Sequence, residues 1–150
     1  MSNLVQDLAP LIAAVQLQSV RMASCACSSR VRTPSEVVEA ELKVGWTTSV
    51  KDPDNSGFYV LAEIETAVVP RGEGRESALE VHATFELHYS LPEGFQTTAQ
   101  QLDEFARFNG VFNVWPYWRE VVQNSFVRMG FPPVTLPVYR LDLVKHEKLQ

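Results

Sequence analysis

The sequence predicts an α+β fold, in which a four-stranded antiparallel sheet is covered on one face by two C-terminal helices. Apolar and polar residues alternate with a period of two over residues 38–50 and again over residues 79–89, which is typical of strands with one buried and one solvated face. Beyond residue 97 the apolar residues recur at helical spacing instead. Strands followed along the chain by helices favour a layer of helices on one face of a sheet.

The four strands are predicted at residues 15–26, 38–50, 58–69 and 79–89. In the first strand the apolar positions change parity between Leu17 and Val20, which predicts a bulge or a bend. Proline, glycine, aspartate and asparagine cluster at residues 52–57, and proline and glycine at residues 70–74, which predicts turns between the later strands.

Two helices are expected after the last strand. Residues 97–101 combine a threonine N-cap with a glutamine at capping-box spacing, and they open a helix that Gly110 ends or bends. A second helix is expected from about Asn113 to Met129, with an apolar stripe about 140° wide, broader than the roughly 100° of a one-sided surface helix. Gly130 ends this helix, and residues 131–137 form an extended segment stiffened by proline.

The length and charge of the chain exclude several classes of function. The 150 residues and 16.9 kDa suit a single domain spanning residues 1–150. A net charge of −5 argues against binding to nucleic acid or to anionic membranes, because both need a basic surface. No apolar run approaches the roughly 18 residues of a membrane span, and the N-terminus lacks the basic flank of an export signal. We therefore expect a cytoplasmic protein with no membrane insertion.

The sequence offers no constellation for catalysis, so we expect that the protein is not an enzyme and has no catalytic residues, metal or cofactor. Cys25 and Cys27 lack a second cysteine pair and share one strand face, which suits inert, half-buried thiols. His82 and His88 share one strand face but lie about 20 Å apart, too far to hold one metal ion. With the glutamates beside them, they are expected to line the solvated face of the sheet.

Aromatic residues are the strongest functional signal. Eight of the fifteen aromatic residues lie between Phe105 and Phe131. Most of them should pack on the sheet, but one sheet face does not easily bury so wide a helical stripe. The remaining apolar area needs a partner subunit or a bound apolar ligand, which favours a binding or assembly surface.

The second helix and the residues after it resemble a known family. Residues 112–120 read Phe-Asn-Val-Trp-Pro-Tyr-Trp-Arg-Glu, and they are followed by Arg128, by Phe131 with Pro132, and by the alternating residues Val134, Leu136 and Val138. This pattern resembles the helix and turn of SecB, the bacterial export chaperone, and the order of four strands before two helices agrees along nearly the whole chain. The resemblance implies a homotetramer, built as a dimer of dimers, that binds unfolded polypeptides in long hydrophobic grooves without ATP, as a holdase.

The resemblance also implies roles for individual residues. The groove of the family is walled by the second strand, the second helix and the extended segment, where this chain has Leu42, Val44, Trp46, Val122, Phe126, Val134 and Leu136. For each of them, packing in the core is the alternative to a place in the groove. The two alternatives have equal weight for Leu42 and Val122, whereas Trp46 and Phe126 are the better groove candidates. The first helix, with Leu102, Phe105 and Asn109, corresponds to the helix through which family members join their dimers.

Two roles are open for such a holdase. SecB docks on the motor protein SecA through acidic residues of its solvated sheet face. Glu80 matches one of these positions, whereas the acids expected near residues 23–24 and 27–28 are absent. The protein is therefore expected either to keep preproteins competent for SecA-dependent export, or to protect an antitoxin as the solitary SecB-like chaperone of a toxin–antitoxin system.

Two other classes of function are compatible with the residues alone. A small-ligand-binding or enzymatic α+β domain would be a monomer or dimer with titratable residues pointing into an enclosed cavity. Few titratable residues fall on the apolar strand faces, which disfavours that class. A purely structural tetramer would assemble without binding a client, and an aggregation assay separates it from a chaperone.

Overall fold

The computed structural model describes residues 2–37, 39–72 and 76–137 of the chain. The helices and strands are α1 (Ser2–Ala14), β1 (Gln16–Ser29), β2 (Ala40–Lys51), β3 (Gly57–Pro70), β4 (Leu79–Ser90), α2 (Ala99–Phe105) and α3 (Val111–Arg128). A single 3-10 turn at Pro34–Glu36 lies between β1 and β2. The predicted α+β class and the four-stranded antiparallel sheet are confirmed. Across the described part of the chain, no helix has the length and apolar character needed to cross a membrane.

The sheet has the strand order β1-β4-β3-β2, and every neighbouring pair is antiparallel. The central strands β3 and β4 bury every second residue along most of their length, because the helices cover only one face of the sheet. The edge strands β1 and β2 are far more exposed. The core therefore lies between the centre of the sheet and the helices.

Strand β1 contains two bulges. The predicted irregularity is present between Leu17 and Ser19, and a second one that the sequence did not predict lies between Met22 and Ser24. Each bulge adds one residue to the strand and so changes which face the following residues occupy. As a result, the residues opposite the buried positions of β4 are Leu17, Val20, Met22, Cys25, Cys27 and Ser29.

Helix α1 was not predicted. Its 13 residues contain Pro10 and have no acidic residue in the first turn and no basic residue in the last, so the local signals for a helix are weak. The helix packs against α2 and places Leu8 and Leu11 in the core. Tertiary packing, which local sequence does not reveal, therefore accounts for its formation.

The C-terminal helices follow the predicted signals at two of three points. The capping box is confirmed, since Thr98 Oγ1 accepts a hydrogen bond from the Gln101 amide at 3.1 Å and Gln101 Oε1 accepts one from the Thr98 amide at 3.0 Å. Gly110 does not end the helix, because one π-helical turn at Ala106–Gly110 connects α2 directly to α3. Gly130 follows α3 with a φ of 84°, a left-handed conformation that favours glycine.

Most of the apolar stripe of α3 is covered by the chain itself. Its buried members are Val111, Val114, Trp115, Trp118, Val122 and Phe126. The extended segment after the helix adds to the cover, because Leu136 is buried and the Pro137 carbonyl accepts a hydrogen bond of 2.7 Å from Trp115 Nε1. Val121 and Met129, two further members of the stripe, are only partly buried, so the chain covers most of the stripe but not all of it, and other exposed apolar residues lie elsewhere on the surface.

Candidate functional site

Large apolar side chains remain exposed around the sheet edges and on the outer side of the helices. They are Ile12, Leu17, Met22, Leu42, Phe112, Tyr117 and Val127. Helix α3 packs over the central strands β3 and β4, and α2 with the π-helical turn also contacts β2, but the helix-side faces of the two edge strands are only partly covered. Two surfaces follow from this arrangement, one at each edge of the sheet.

The first surface, here called the β1 cleft, lies between β1 and α3. It has a volume of about 220 Å³ and is lined by Val20, Met22, Phe85, Tyr117, Glu120, Val121 and Asn124. Met22 and Tyr117 are exposed by 43% and 47%, respectively. An apolar cavity of roughly 150 Å³ holds a benzene molecule, so the β1 cleft has room for an aromatic or branched aliphatic side chain.

The second surface, here called the β2 edge, consists of Leu42, Val44 and Trp46 on β2 and Val134 on the extended segment. Leu42 is 41% exposed, and the other three residues are partly buried. The indole of Trp46 meets that of Trp115 edge to face, with ring centroids 5.8 Å apart. Because Trp115 also holds the Pro137 carbonyl, this contact ties β2 to α3 and to the extended segment.

The other predicted groove residues lie deeper. Val122, Phe126 and Leu136 are buried in the core and offer no surface to a ligand in this conformation. Their burial follows from the packing of α3 on the sheet and of the extended segment beside it. Their predicted contact with a client stays a prediction, and it requires this layer to open.

Two of the predicted interface residues of α2 also lie in the core. Leu102 and Phe105 are buried, and the Phe105 ring packs edge to face against Phe58 and Tyr89 at centroid distances of 5.6 and 5.0 Å. Asn109 is partly exposed. Of the three residues, only Asn109 is placed where a second chain could reach it in this conformation.

The sequence did not single out Met22 and Tyr117 as site residues. For Met22, the only signal in the sequence was the change of parity of the apolar positions in β1. That change reveals neither the second bulge nor the position of β1 at the edge of the sheet, and both are needed to place Met22 on an exposed surface. Tyr117 lies within the motif of residues 112–120, and its exposure depends on how α3 is rotated over the sheet.

Glu80 lies on the solvated face, as predicted for a docking residue. His82 Nε2 is 3.5 Å from both Glu80 Oε2 and Glu65 Oε1, and Ser28 of β1 stands opposite Glu80. A shallow concavity of about 440 Å³ crosses all four strands here. Within residues 2–37, 39–72 and 76–137, no group of His, Cys, Asp and Glu side chains is arranged to hold a metal ion.

Cys25 and Cys27 are exposed free thiols rather than half-buried ones. They share the helix-side face of β1, as predicted, but the helices do not cover this part of an edge strand. Partial desolvation raises the pKa of the Cys25 thiol, and the neighbouring Cys27 raises it further. A raised pKa keeps the thiol protonated and lowers its reactivity.

The comparisons with known proteins concern the fold. Neither a protein-family model nor a curated protein sequence matches this chain. Among solved structures, the chain is similar to the SecB-like chaperone Rv1957 of Mycobacterium tuberculosis, which was solved in complex with a ChAD peptide from the HigA1 antitoxin. The TM-score is 0.76 at 20% sequence identity, and the match covers 90% of this chain and 97% of the other. A protein of unknown function from Streptococcus agalactiae matches with a TM-score of only 0.47 at 9% identity, over 82% of this chain and 96% of that one. The first similarity confirms the SecB-like fold.

Proposed function

We propose that the protein is a SecB-like molecular chaperone, a holdase that binds non-native polypeptides on exposed apolar surface without using ATP. The exposed apolar residues of the edge strands carry this proposal, with Leu42 as the clearest case. Burial of a large apolar side chain is worth about 1.5–3 kcal/mol, so several such residues at the sheet edges provide a driving force for association.

The β2 edge supports binding of an extended chain. An edge strand presents backbone N–H and C=O groups without partners in the sheet, and an added strand can pair with them whatever its sequence. Leu42, Val44 and Trp46 alternate along the helix side of β2 and would contact every second side chain of the client. Recognition of this kind suits many different unfolded sequences.

Arg119 adds a polar donor on α3. It follows Trp115 by one helical turn, and its Nε atom is buried without a hydrogen-bond partner among the described residues. A buried donor left unpaired costs about 1–3 kcal/mol. When the layer over it opens, a backbone carbonyl of a bound polypeptide would remove this cost, so we propose that Arg119 holds the client backbone in the opened state.

Two client classes are compatible with this surface. The Rv1957 chaperone was solved with an antitoxin peptide, which supports an antitoxin as the client of this chain as well. Export of preproteins would require docking to SecA, and Glu80 is the one residue here that matches an acidic docking position. The β1 strand supplies Ser24 and Ser28 on the same face, where acids were expected.

We further propose a homotetramer in which the β1 cleft contacts another copy of the chain. β1 is a 14-residue edge strand whose residues are almost all exposed. Such a contact would bury the exposed side chains of Leu17, Met22 and Tyr117. The two cavities described above are open clefts at the surface, which favours polypeptide ligands over an enclosed small molecule.

The main experiment measures aggregation of a chemically denatured client by light scattering, with rising amounts of the chain and no nucleotide. We expect suppression that saturates near one client per tetramer. Leu42→Lys should raise the concentration needed for half-maximal suppression about tenfold, which corresponds to about 1.4 kcal/mol. Val127→Lys is the matched control, because Val127 is a similarly exposed apolar residue that lies on α3 and not on β2. Absence of suppression by folded protein, or equal effects of the two variants, would contradict the proposal.

A second experiment separates the two client classes. Purified SecA is titrated onto the parent chain and onto Glu80→Lys, and binding is measured by calorimetry. A role in export predicts binding that Glu80→Lys weakens. A role with an antitoxin predicts no SecA binding and tight binding of the antitoxin by both chains.

A further inference from the structure

Helix α1 has little intrinsic stability of its own. Isolated helices shorter than about 12–15 residues are marginal in water, and α1 has 13 residues. Pro10 lies inside it, where proline removes a backbone hydrogen bond and is the least favourable of all residues. The helix therefore depends on what it packs against.

Two leucines dock α1 onto the rest of the chain. Leu8 and Leu11 are three residues apart, on one face of the helix, and retain only 3% and 1% of their exposure. Both belong to the same core cluster as Leu102 and Phe105 of α2, and α1 packs against α2. By contrast, Pro10 and Ile12 are exposed. Helix α1 therefore contacts the rest of the chain through two apolar side chains on one helix face, as an amphipathic peptide does on an apolar surface.

We infer that the α2 surface beneath α1 is a second polypeptide-binding site, and that α1 is a built-in occupant which an apolar segment of a client displaces. The ligand is a client segment with large aliphatic side chains three residues apart, as in α1 itself. The inference rests on the proposed chaperone function for the nature of the client.

The tether explains how such an occupant would regulate binding. Only Val15 separates α1 from β1, so the effective concentration of α1 at its site is high, on the order of millimolar for a short connection. A client then binds only the fraction of molecules in which α1 is released, and its apparent affinity falls by that fraction. Because weakly stable elements open most readily, the low stability of α1 keeps the fraction of molecules with α1 released large enough for a client to bind.

The first test uses the full-length chain and hydrogen exchange of the α1 amides. Pro10→Ala removes the unfavourable residue at an exposed position, so we expect exchange in α1 to slow at least about tenfold. Addition of a permanently unfolded client should speed exchange in α1 of the parent chain, and Pro10→Ala should reduce this effect. Pro92→Ala, at an exposed proline outside the helices, is the control and should behave like the parent chain. Exchange in α1 that the client does not alter would overturn the inference.

The second test uses a labelled synthetic peptide with the sequence of residues 2–14. We expect it to bind a chain lacking those residues at least about tenfold more tightly than the full-length chain, as measured by fluorescence anisotropy. A peptide carrying Leu8→Asp and Leu11→Asp should not bind. Equal binding of the two peptides to a folded truncated chain would overturn the inference, and if truncation prevents folding, the exchange experiment decides.

These results are separable from the proposed function. If the parent chain fails to suppress aggregation but the peptide binds the truncated chain, the holdase proposal fails, and the groove under α1 exists without a client. If the parent chain suppresses aggregation but the client does not change hydrogen exchange in α1, the holdase proposal stands, and α1 is only a structural helix.

Discussion

Tyr89 shows at the scale of one residue how the core controls a titratable group. Its ring stacks on Phe58 with centroids 5.3 Å apart, and its hydroxyl accepts a hydrogen bond of 2.7 Å from Asn113 Nδ2. Burial raises the pKa of Tyr89 to about 12 from an ordinary 10.0, while the hydrogen bond from Asn113 opposes part of this shift. Ionisation of this phenol is thus coupled to opening of the contact between β4 and α3.

The first prediction concerns stability at high pH. A folded-state pKa above the unfolded one gives stability that is fully present below pH 10 and is lost as the pH rises from 10 to 12. Two pKa units correspond to about 2.7 kcal/mol. In urea unfolding, the free energy of unfolding of the parent chain should therefore fall by about 2–3 kcal/mol more over this interval than that of Tyr89→Phe. Parallel curves for the parent chain and Tyr89→Phe would disprove the coupling.

Two glycines illustrate constraints at the scale of the elements. Gly57 is the first residue of β3 and pairs with Ser90 of β4, and a Cβ atom there would overlap the backbone carbonyl oxygen of Tyr89. Gly110 closes the π-helical turn between α2 and α3, where a Cβ atom would stand 3.1 Å from Cγ1 of Val60. At Gly57 the added methyl group would meet backbone that the sheet holds in place. At Gly110 it would meet the side chain of Val60, which can shift.

The second prediction compares alanine at these two positions. Gly57→Ala should lower the free energy of unfolding by about 1–3 kcal/mol, because the two central strands must separate to admit the methyl group. Gly110→Ala should change it by less than about 1 kcal/mol, since the gain in helix propensity offsets the tighter contact with Val60. Urea unfolding of both variants measures the difference, and similar values for the two would show that the strand pairing at Gly57 is loose.

At the scale of the whole molecule, the apolar residues that the chain leaves exposed predict assembly. The chain buries most of the wide stripe of α3 by itself, yet Leu17, Met22 and Tyr117 stay in contact with water on the β1 side. With a net charge of −5 distributed over 150 residues, long-range repulsion between copies is modest at physiological salt. The apolar contact is therefore expected to dominate association.

The third prediction concerns the mass in solution. Light scattering during size exclusion should give four times the 16.9 kDa of one chain. Changing Met22→Lys and Tyr117→Lys together should yield smaller species with an unchanged circular dichroism spectrum, because both side chains are exposed in the single chain. Val127→Lys should retain the parent mass. A parent chain that runs as a monomer at micromolar concentration would rule out the tetramer.

Much of the fold could be predicted because its signals are local. The alternation over residues 79–89 defines β4 closely, and the capping box of Thr98 and Gln101 starts α2 as predicted. The first bulge of β1 is likewise visible as a change of parity near Leu17. Helix α1 was missed because it lacks such signals and depends on contacts with α2, more than 80 residues further along the chain.

The candidate site was predicted less completely, because exposure is not a local property. The resemblance favoured Phe126 over Leu42 as a groove residue, yet Leu42 is exposed and Phe126 is buried. The difference comes from the position of β2 at the sheet edge and from α3 lying over the sheet.

The sequence by itself therefore determined the strands, the caps and the apolar faces, since these depend on periodicity and on hydrogen bonds between near neighbours. The tertiary structure alone decided which apolar residues face water, and it decided that Cys25 and Cys27 are exposed and that α1 occupies a surface of α2. Those features depend on strand order and on packing between distant segments, because the solvent exposure of a residue is set by the segments that pack over it.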